Sequence, residues 1–182
     1  EDGTQWALHG PDMEASLDAT LSGCSNITAM AVREDTVYLA ADGACVLACS
    51  LDGMLLWKQE APAIDRFFSA QDGRLLAWAR QEQVLYLLED GAIRRLCAIP
   101  DLFCTGIEQL YPGDQTPYDC IVCANDAFFG WSIAEEAVTQ LFTCDAVGLY
   151  AGDILDFCSL GNDRYLGLEW APSASGEPGC TL

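Results

Sequence analysis

Residues 37–59 read VYLAADGACVLACSLDGMLLWKQ, and this stretch decides the fold class. Apolar residues alternate in it with small or polar ones, which is the pattern of a β-strand with one buried face. Two Asp-Gly pairs interrupt the alternation, and this dipeptide accepts the positive φ angles that tight hairpin turns require. Asp-Gly recurs at 72–73 and 90–91. The pattern therefore predicts an all-β protein built from hairpins.

Two kinds of hairpin alternate along the chain. An inner kind opens on isoleucine at residues 27, 64, 107 and 154, so neighbouring copies begin 37 to 47 residues apart. An outer kind begins near residues 5, 45, 83 and 127, and consists of an apolar strand, a polar turn and a second strand. Together with the period-two alternation, this spacing is typical of the four-stranded blades of a β-propeller.

We therefore predict a single domain that forms a small β-propeller, with four blades of four antiparallel strands over residues 1–182. The outer hairpin near the N-terminus would pair with the inner hairpin near the C-terminus and close the ring. Closure of this kind removes the unpaired sheet edges that promote aggregation. The predicted segments are the outer hairpin of the closing blade at 4–22, blades at 27–60, 64–98 and 107–143, the inner hairpin of the closing blade at 154–170 and a linker-like tail at 171–182.

The opening stretch resembles the repeat of PQQ-like and WD-type β-propellers, in which a Gly turn, an Asp-Gly corner and a closing Trp-Lys follow one another. The resemblance rests on Asp42, Gly43, Asp52, Gly53, Trp57 and Lys58. The other copies keep only the outline, with Arg95, Gln140 and Asp18 in the place of Trp57. The chain is also similar to propeller regions of exported bacterial proteins of unknown function. This similarity implies an extracellular or cell-surface location, with the cytoplasm as the alternative.

The resemblance does not imply that the chain binds the quinone cofactor PQQ. The enzymes of the PQQ family that bind the quinone have larger rings, adjacent cysteines under the cofactor and a calcium site. No two cysteines are adjacent in this chain. We therefore expect the repeat to be a scaffold, and we predict no cofactor.

The formal net charge is −20, from 28 acidic and 8 basic residues, and Lys58 is the only lysine. Such a chain repels the phosphates of nucleic acids and anionic lipids, whose binding depends on Lys and Arg. No apolar run approaches the roughly 18 residues of a membrane span. We therefore predict a protein or carbohydrate partner, no nucleic acid and no membrane insertion.

The ten cysteines do not form a ligand or disulfide pattern, because most lie inside apolar strand-like runs. Free cysteine behaves as a small buried hydrophobe, and this usage indicates a reducing or anaerobic setting. Cys120 and Cys123 have the two-residue gap of zinc sites, but residues three apart on a strand face opposite sides. The only histidine, His9, has no nucleophile motif beside it. We therefore predict neither a metal site nor catalytic residues.

Two long connections are the best candidates for a binding surface. They are residues 97–106 and 144–153, and both mix apolar or aromatic residues with aspartate. Loops held on a rigid scaffold commonly carry function. The predicted ligand-binding residues are Asp101, Phe103, Tyr150 and Asp153. The alternative is that these side chains fill the gaps between blades.

The predicted function is a non-catalytic binding or interaction module that displays loops on a rigid acidic propeller. One alternative is a carbohydrate hydrolase or lyase, since two carboxylates at the channel mouth could act as general acid and base. The 28 acidic residues do not single out such a pair. Another alternative is a structural accessory half-ring of a larger protein.

Overall fold

The structure is a computed structural model in which β-strands make up most of the regular elements. The first two strands, β1 (Ala7–Gly10) and β2 (Met13–Ser16), pair as an antiparallel hairpin. The residues that the structure describes are 6–10, 13–17, 21, 23–89, 91–103, 106–148, 154–162, 164–172 and 178–181.

Three four-stranded antiparallel sheets follow, and each uses four strands that are consecutive in sequence. The first contains β3 (Ile27–Arg33), β4 (Thr36–Ala41), β5 (Cys45–Ser50) and β6 (Leu55–Glu60). The second contains β7 (Arg66–Ser69), β8 (Leu75–Ala79), β9 (Val84–Glu89) and β10 (Ala92–Ala98). The third contains β11 (Gln109–Pro112), β12 (Cys120–Ala124), β13 (Ala127–Ser132) and β14 (Ala137–Thr143). The predicted all-β architecture of four-stranded antiparallel sheets is confirmed.

Two short helical elements flank the third sheet. A 3₁₀ turn (Asp101–Phe103) precedes it, and a one-turn helix, α1 (Cys144–Val147), follows it. The hydroxyl of Thr143 caps α1 by accepting a hydrogen bond from the backbone N–H of Ala146. Gly148 ends the helix with a φ of 72°, a left-handed conformation that glycine adopts without strain.

The C-terminal sheet corrects the predicted ring closure. Here β15 (Ile154–Gly161), β16 (Arg164–Pro172) and β17 (Pro178–Thr181) pair in that order, while β1 and β2 form a separate two-stranded sheet. Among the described residues, the fourth blade that was expected to combine 4–22 with 154–170 is therefore not formed. Instead, β17 pairs with β16 and supplies the third strand. A strand that lies close in sequence closes a shorter loop, which costs less conformational entropy.

The chain consists of two compact units. Unit 1 contains Glu1–Phe67 and Leu75–Cys97, and unit 2 contains Phe68–Arg74 and Ala98–Leu182. The turn between β7 and β8 thus belongs to unit 2, although most of its sheet belongs to unit 1. The number of blades and the organisation as one domain stay predictions.

In unit 1 the central strands of the first sheet, β4 and β5, are buried on both faces. Leu39 and Leu47 share one apolar cluster with Leu17 and Leu21 from the N-terminal segment. Val46, on the opposite face of β5, belongs to a second cluster with residues of β7, β8 and β9. The first five residues of β5 are buried, and this explains why CVLAC is a continuous apolar run rather than an alternating one.

A side-chain amide joins two edge strands of unit 1. Gln59 on β6 donates from Nε2 to the carbonyl of Ile93 on β10 at 3.0 Å, and its Oε1 accepts from the Ile93 N–H at 3.0 Å. The amide thus satisfies one donor and one acceptor of a buried backbone position, as a neighbouring strand would.

In unit 2 the core is aromatic. Phe128 of β13 stacks on Phe157 of β15 with ring centroids 4.6 Å apart, and also on Phe142 of β14 at 4.8 Å. Phe157 in turn stacks on Tyr165 of β16 at 5.4 Å. These contacts pack the third sheet against the C-terminal sheet, since aromatic rings bury large apolar areas.

Gly130 of β13 lies under the ring of Tyr118, so the strand has no room for a side chain there. An added Cβ would overlap the Cδ2 and Cγ atoms of Tyr118. The Cγ atom is close to the backbone, so the ring moves away from it only with difficulty. We expect Gly130→Ala to lower the free energy of unfolding by about 1–3 kcal/mol, the usual cost of overpacking. Urea denaturation measures this change.

Gly167→Ala on β16 is the matched control, because an added Cβ there would meet Phe157 at 3.7 Å, an ordinary contact. It should change the free energy of unfolding by less than about 1 kcal/mol. Tyr118→Ala combined with Gly130→Ala should recover part of the loss. Equal effects of the two glycine substitutions would contradict the packing of Tyr118 on Gly130.

Candidate functional site

Two of the four side chains predicted to bind a ligand, Asp101 and Phe103, lie among the described residues. Asp101 is exposed at the start of the 3₁₀ turn. Phe103 is fully buried and contacts Phe129 and Trp131 edge-on, with centroids 5.3 and 6.3 Å apart. This packing favours the alternative in which Phe103 fills space. The other two predicted residues, Tyr150 and Asp153, lie outside the described residues.

The histidine and the closely spaced cysteines take ordinary positions in strands. His9 pairs with Glu14 in the register of the β1–β2 hairpin. Cys120 and Cys123 are both buried on β12, and only Cys123 belongs to the aromatic core of unit 2. Within the described ranges, no group of three or more His, Cys, Asp or Glu side chains is placed to hold a metal ion.

Asp119 is a buried carboxylate with a structural role in unit 2. Its Oδ1 accepts from the backbone N–H of Gln71 at 2.8 Å, and its Oδ2 accepts from the N–H of Ile133 at 2.7 Å. Its own N–H donates to the carbonyl of Trp131 at 3.0 Å. The carboxylate thus satisfies two backbone donors that come from different turns.

Asp65 repeats part of this arrangement in unit 1. Its N–H donates to the carbonyl of Trp78 at 2.8 Å, and its Oδ2 accepts from the N–H of Arg80, two residues further on, at 2.7 Å. Asp119 makes the same two hydrogen bonds, one to the carbonyl of Trp131 and one from the N–H of Ile133, which is two residues further on. We call this arrangement the Asp–Trp clasp. Both aspartates bind backbone groups in this way, so we interpret them as structural residues.

A surface groove in unit 1 is the best candidate site. It lies between the β4–β5 turn and the end of β6, and its volume is about 720 Å³. Lys58 and Glu60 are exposed and two apart on β6, so they project from the same face of the strand. The groove is lined by Asp42, Ala44, Cys45, Lys58, Glu60 and Ala61.

Asp42 is fixed at the edge of this groove by hydrogen bonds. Its Oδ1 accepts from the N–H of Ser25 at 2.9 Å, the hydroxyl of Ser25 at 2.8 Å and the N–H of Asn26 at 2.9 Å. These bonds, first of all the one from the Ser25 backbone, lower the pKa of the Asp42 carboxyl below its usual value. The carboxylate is therefore ionised at neutral pH.

The thiol of Cys24 contributes to the lowered pKa of Asp42, which lines the groove. Burial raises the pKa of Cys24, and the nearby charge of Lys58 opposes this shift without cancelling it. The sulfur is therefore a thiol at neutral pH, and nucleophilic chemistry requires the thiolate.

The groove thus combines one fixed carboxylate, one exposed ammonium group and one exposed carboxylate. Glycoside hydrolysis by two carboxylates needs one of them protonated as the general acid, and Asp42 does not fill that role because its pKa is lowered. The arrangement is suited to binding a charged ligand. Sequence reasoning treated Asp42 as turn chemistry and missed the groove, although Lys58, as the only lysine of an acidic chain, was a signal.

No protein-family model matches the chain, and no curated protein matches it. The extracellular domain of a hybrid two-component system from B. thetaiotaomicron superposes with a TM-score of 0.53 at 11% identity, covering 79% of this chain and 19% of that one. The computationally designed Ika4 protein gives a TM-score of 0.52 at 14% identity, covering 86% and 91%. A protein of unknown function from Bacteroides thetaiotaomicron VPI-5482 gives 0.50 at 14% identity, covering 81% and 36%.

The solved structures that resemble this chain are β-propeller-like proteins. At these identities the likeness concerns the fold alone, and the chain spans about a fifth of the two-component domain. The PQQ-like or WD-type character of the repeat stays a prediction. In the described part of the chain, no helix has the length and apolarity needed to cross a bilayer.

The Asp–Trp clasps predict unequal effects of the same substitution at two positions. Asp119→Asn replaces one accepting oxygen by an NH₂ group, which then faces a backbone N–H in a buried place. We expect a loss of about 1–3 kcal/mol in the free energy of unfolding, the cost of a buried donor left without an acceptor. Urea denaturation at neutral pH measures this loss.

Asp65→Asn is the matched control, because Asp65 is exposed and accepts the clasp bond with one oxygen. An amide can turn its oxygen toward Arg80 and keep that bond, so we expect a change within about 0.5 kcal/mol. If Asp119→Asn is as mild as Asp65→Asn, the clasp in unit 2 is not a stabilising element.

Proposed function

We propose that the chain is a non-catalytic binding module on a β-propeller scaffold, and that the groove beside Asp42 takes a positively charged segment of a protein partner. The observation that carries the proposal is the groove itself, in which Glu60 and Asp42 are carboxylates and Lys58 is the only ammonium group. A four-bladed arrangement of PQQ-like or WD-type repeats is part of the same proposal.

The charge of the chain supports a basic partner. A net charge of −20 attracts cations from a distance and speeds their association. Within the groove, Glu60 offers a carboxylate on an edge strand whose backbone is held by β5. Lys58 on the same face repels a cation, so it determines where along the groove a basic side chain rests. Opposite charges at fixed positions give selectivity more than affinity.

A carbohydrate partner and a carbohydrate hydrolase are the alternatives, and both become outcomes of the test below. Asp101, which is exposed in unit 2, stays a proposed contact residue together with Tyr150 and Asp153. An extracellular or cell-surface location is likewise a proposal. Nucleic acid and direct membrane insertion are not part of it, because a chain with this charge repels phosphates.

The test uses a short fluorescein-labelled peptide of alternating lysine and serine, with fluorescence anisotropy as the measurement. Glu60→Gln should weaken binding about threefold, because one exposed ion pair contributes roughly 0.6 kcal/mol. Lys58→Gln should strengthen binding by a similar factor, because it removes a like charge from the same face. The two variants thus change the affinity in opposite directions.

Glu135→Gln is the matched control for charge, because Glu135 is exposed in the β13–β14 turn of the other unit. It should change the affinity by less than about twofold. If Glu60→Gln and Glu135→Gln weaken peptide binding equally, the affinity depends only on the net charge of the chain. That result would contradict the proposal that the groove is the binding site. A signal on a glycan array that Glu60→Gln abolishes would replace the basic segment by a carbohydrate. Turnover of chromogenic glycosides that is lost in Glu60→Gln would replace binding by hydrolysis.

A further inference from the structure

The outer strand of the first sheet has an open edge. One side of β6 pairs with β5, and in the part of the chain that the structure describes no strand pairs with its other side. Five of the six residues of β6 are exposed, against three of seven in β10 and four of seven in β14, the outer strands of the other two four-stranded sheets. An edge of this kind offers backbone groups to another chain.

The register of β5 and β6 shows which backbone groups of β6 face this open edge. The N–H of Ala61 donates to the carbonyl of Ala44 at 3.0 Å, in line with a ladder that is regular from residue 57 to residue 60. In an antiparallel ladder, positions that are bonded to the neighbouring strand alternate with positions that are not. Glu60 and Lys58 are one and three positions before Ala61, so their N–H and C=O groups point away from β5.

The side chains at these two positions have opposite charges. Lys58 and Glu60 are both exposed, and since they are two residues apart they project from one face of the strand. Among the three outer strands, only β6 has a basic and an acidic residue in this relation, because β10 carries Arg94 and Arg95 and β14 carries no charged residue. The open edge of β6 is thus complementary to a strand in which a basic and an acidic residue are also two positions apart.

A second copy of β6 is such a strand. When two copies pair antiparallel about a two-fold axis at Gln59, Lys58 of each copy lies opposite Glu60 of the other. Both positions carry outward backbone groups, so each opposite pair exchanges both N–H···O=C bonds, and its side chains share one face with Cβ atoms roughly 5 Å apart. The registers shifted by two residues place Lys58 opposite Lys58 or Glu60 opposite Glu60, and like charges directly opposite are destabilising. Charge therefore selects one register.

We propose that the open edge of β6 is a self-association surface, at which two copies of the chain form a dimer through an antiparallel β6–β6 contact. A two-fold contact uses the same edge in both copies and therefore stops at two chains. In this register the exposed Leu56 lies opposite Pro62 of the second copy, so apolar area is buried at both ends of the contact. Pro62 has no N–H and ends the ladder.

The dimer is weak, because the two chains repel one another and the contact is short. Each copy carries a net charge of −20. At an ionic strength of about 0.15 M, exposed charges separated by more than about 8 Å are largely screened, whereas Lys58 and Glu60 of the two copies come within that distance. Interfaces of small area are typical of transient complexes, and we expect a dissociation constant on the order of 100 µM.

Sedimentation equilibrium of the full chain, at an ionic strength of about 0.15 M, tests the proposal. We expect the weight-average mass to rise with protein concentration from that of one chain toward that of two, and not beyond. Lys58→Glu places carboxylates opposite each other, and Glu60→Lys places ammonium groups opposite each other, so each substitution should weaken the dimer at least about tenfold. The double variant Lys58→Glu/Glu60→Lys restores opposite charges and should return the dissociation constant to within about threefold of the wild-type value. A mixture of the two single variants should form a mixed dimer.

Net charge is separated from register by Glu60→Lys, which makes the chain less negative. If repulsion between whole chains determined association, Glu60→Lys would strengthen the dimer. The matched control is Glu135→Lys, which changes the net charge equally at an exposed position in the β13–β14 turn of unit 2 and should not weaken the dimer.

Three results overturn the proposal. The first is a wild-type chain that stays monomeric at about ten times the expected dissociation constant. The second is a double variant that stays monomeric although its circular dichroism spectrum is that of the wild type. The third is a dimer that persists in Glu60→Lys but is lost in Leu166→Ser, which changes an exposed leucine on β16. The peptide titration measures the groove and sedimentation measures the dimer, so either proposal can fail without the other.

Discussion

The structure depends on burying both faces of its sheets. A strand such as β5, in which five of six residues are buried, has no stable position on its own, because an isolated sheet would leave one of its apolar faces in water. The sheet β3–β6 therefore requires the N-terminal segment on one side and the second sheet on the other. In unit 2 the rings of Phe128 and Phe157 create the same dependence between the third sheet and the C-terminal sheet.

Burial of this kind leaves backbone groups at the strand ends that water cannot reach, and polar side chains satisfy them. Asp119 accepts from two turns at once, and Gln59 serves as donor and acceptor for one residue of another sheet. Each of these bonds is worth only about 1 kcal/mol when present, but a missing partner costs more. Several of the acidic and amide side chains are therefore part of the scaffold. A large number of carboxylates does not by itself indicate catalysis.

The sequence predicted the parts of the fold that local patterns determine. Alternation and Asp-Gly turns identify the hairpins, and the turn residues Asp42 and Gly43 both adopt positive φ, as the dipeptide indicates. Ring closure was wrong because residues 171–182 have the composition of a linker, whereas Pro178–Thr181 forms β17 and pairs with β16. Phe103 was predicted to line a surface because loop position is visible in a sequence, whereas its contact with Phe129 and Trp131 is a tertiary feature. The groove escaped prediction for the same reason, since Asp42 and Glu60 meet only through the register of β4, β5 and β6.

The negative charge of Asp42 in the groove is fixed by the hydrogen bonds that Asp42 accepts from Ser25 and Asn26. A side chain that performs acid–base chemistry must exchange a proton near the working pH. Asp42 is bound to Ser25 and Asn26 in its ionised form, and this lowers its pKa. The bonds that shape the site thus also fix its charge. A surface with fixed charges distinguishes ligands by sign and position, and its strength falls as salt screens the exposed groups. Ionic strength, more than pH near neutrality, is therefore the variable to which binding at this groove responds.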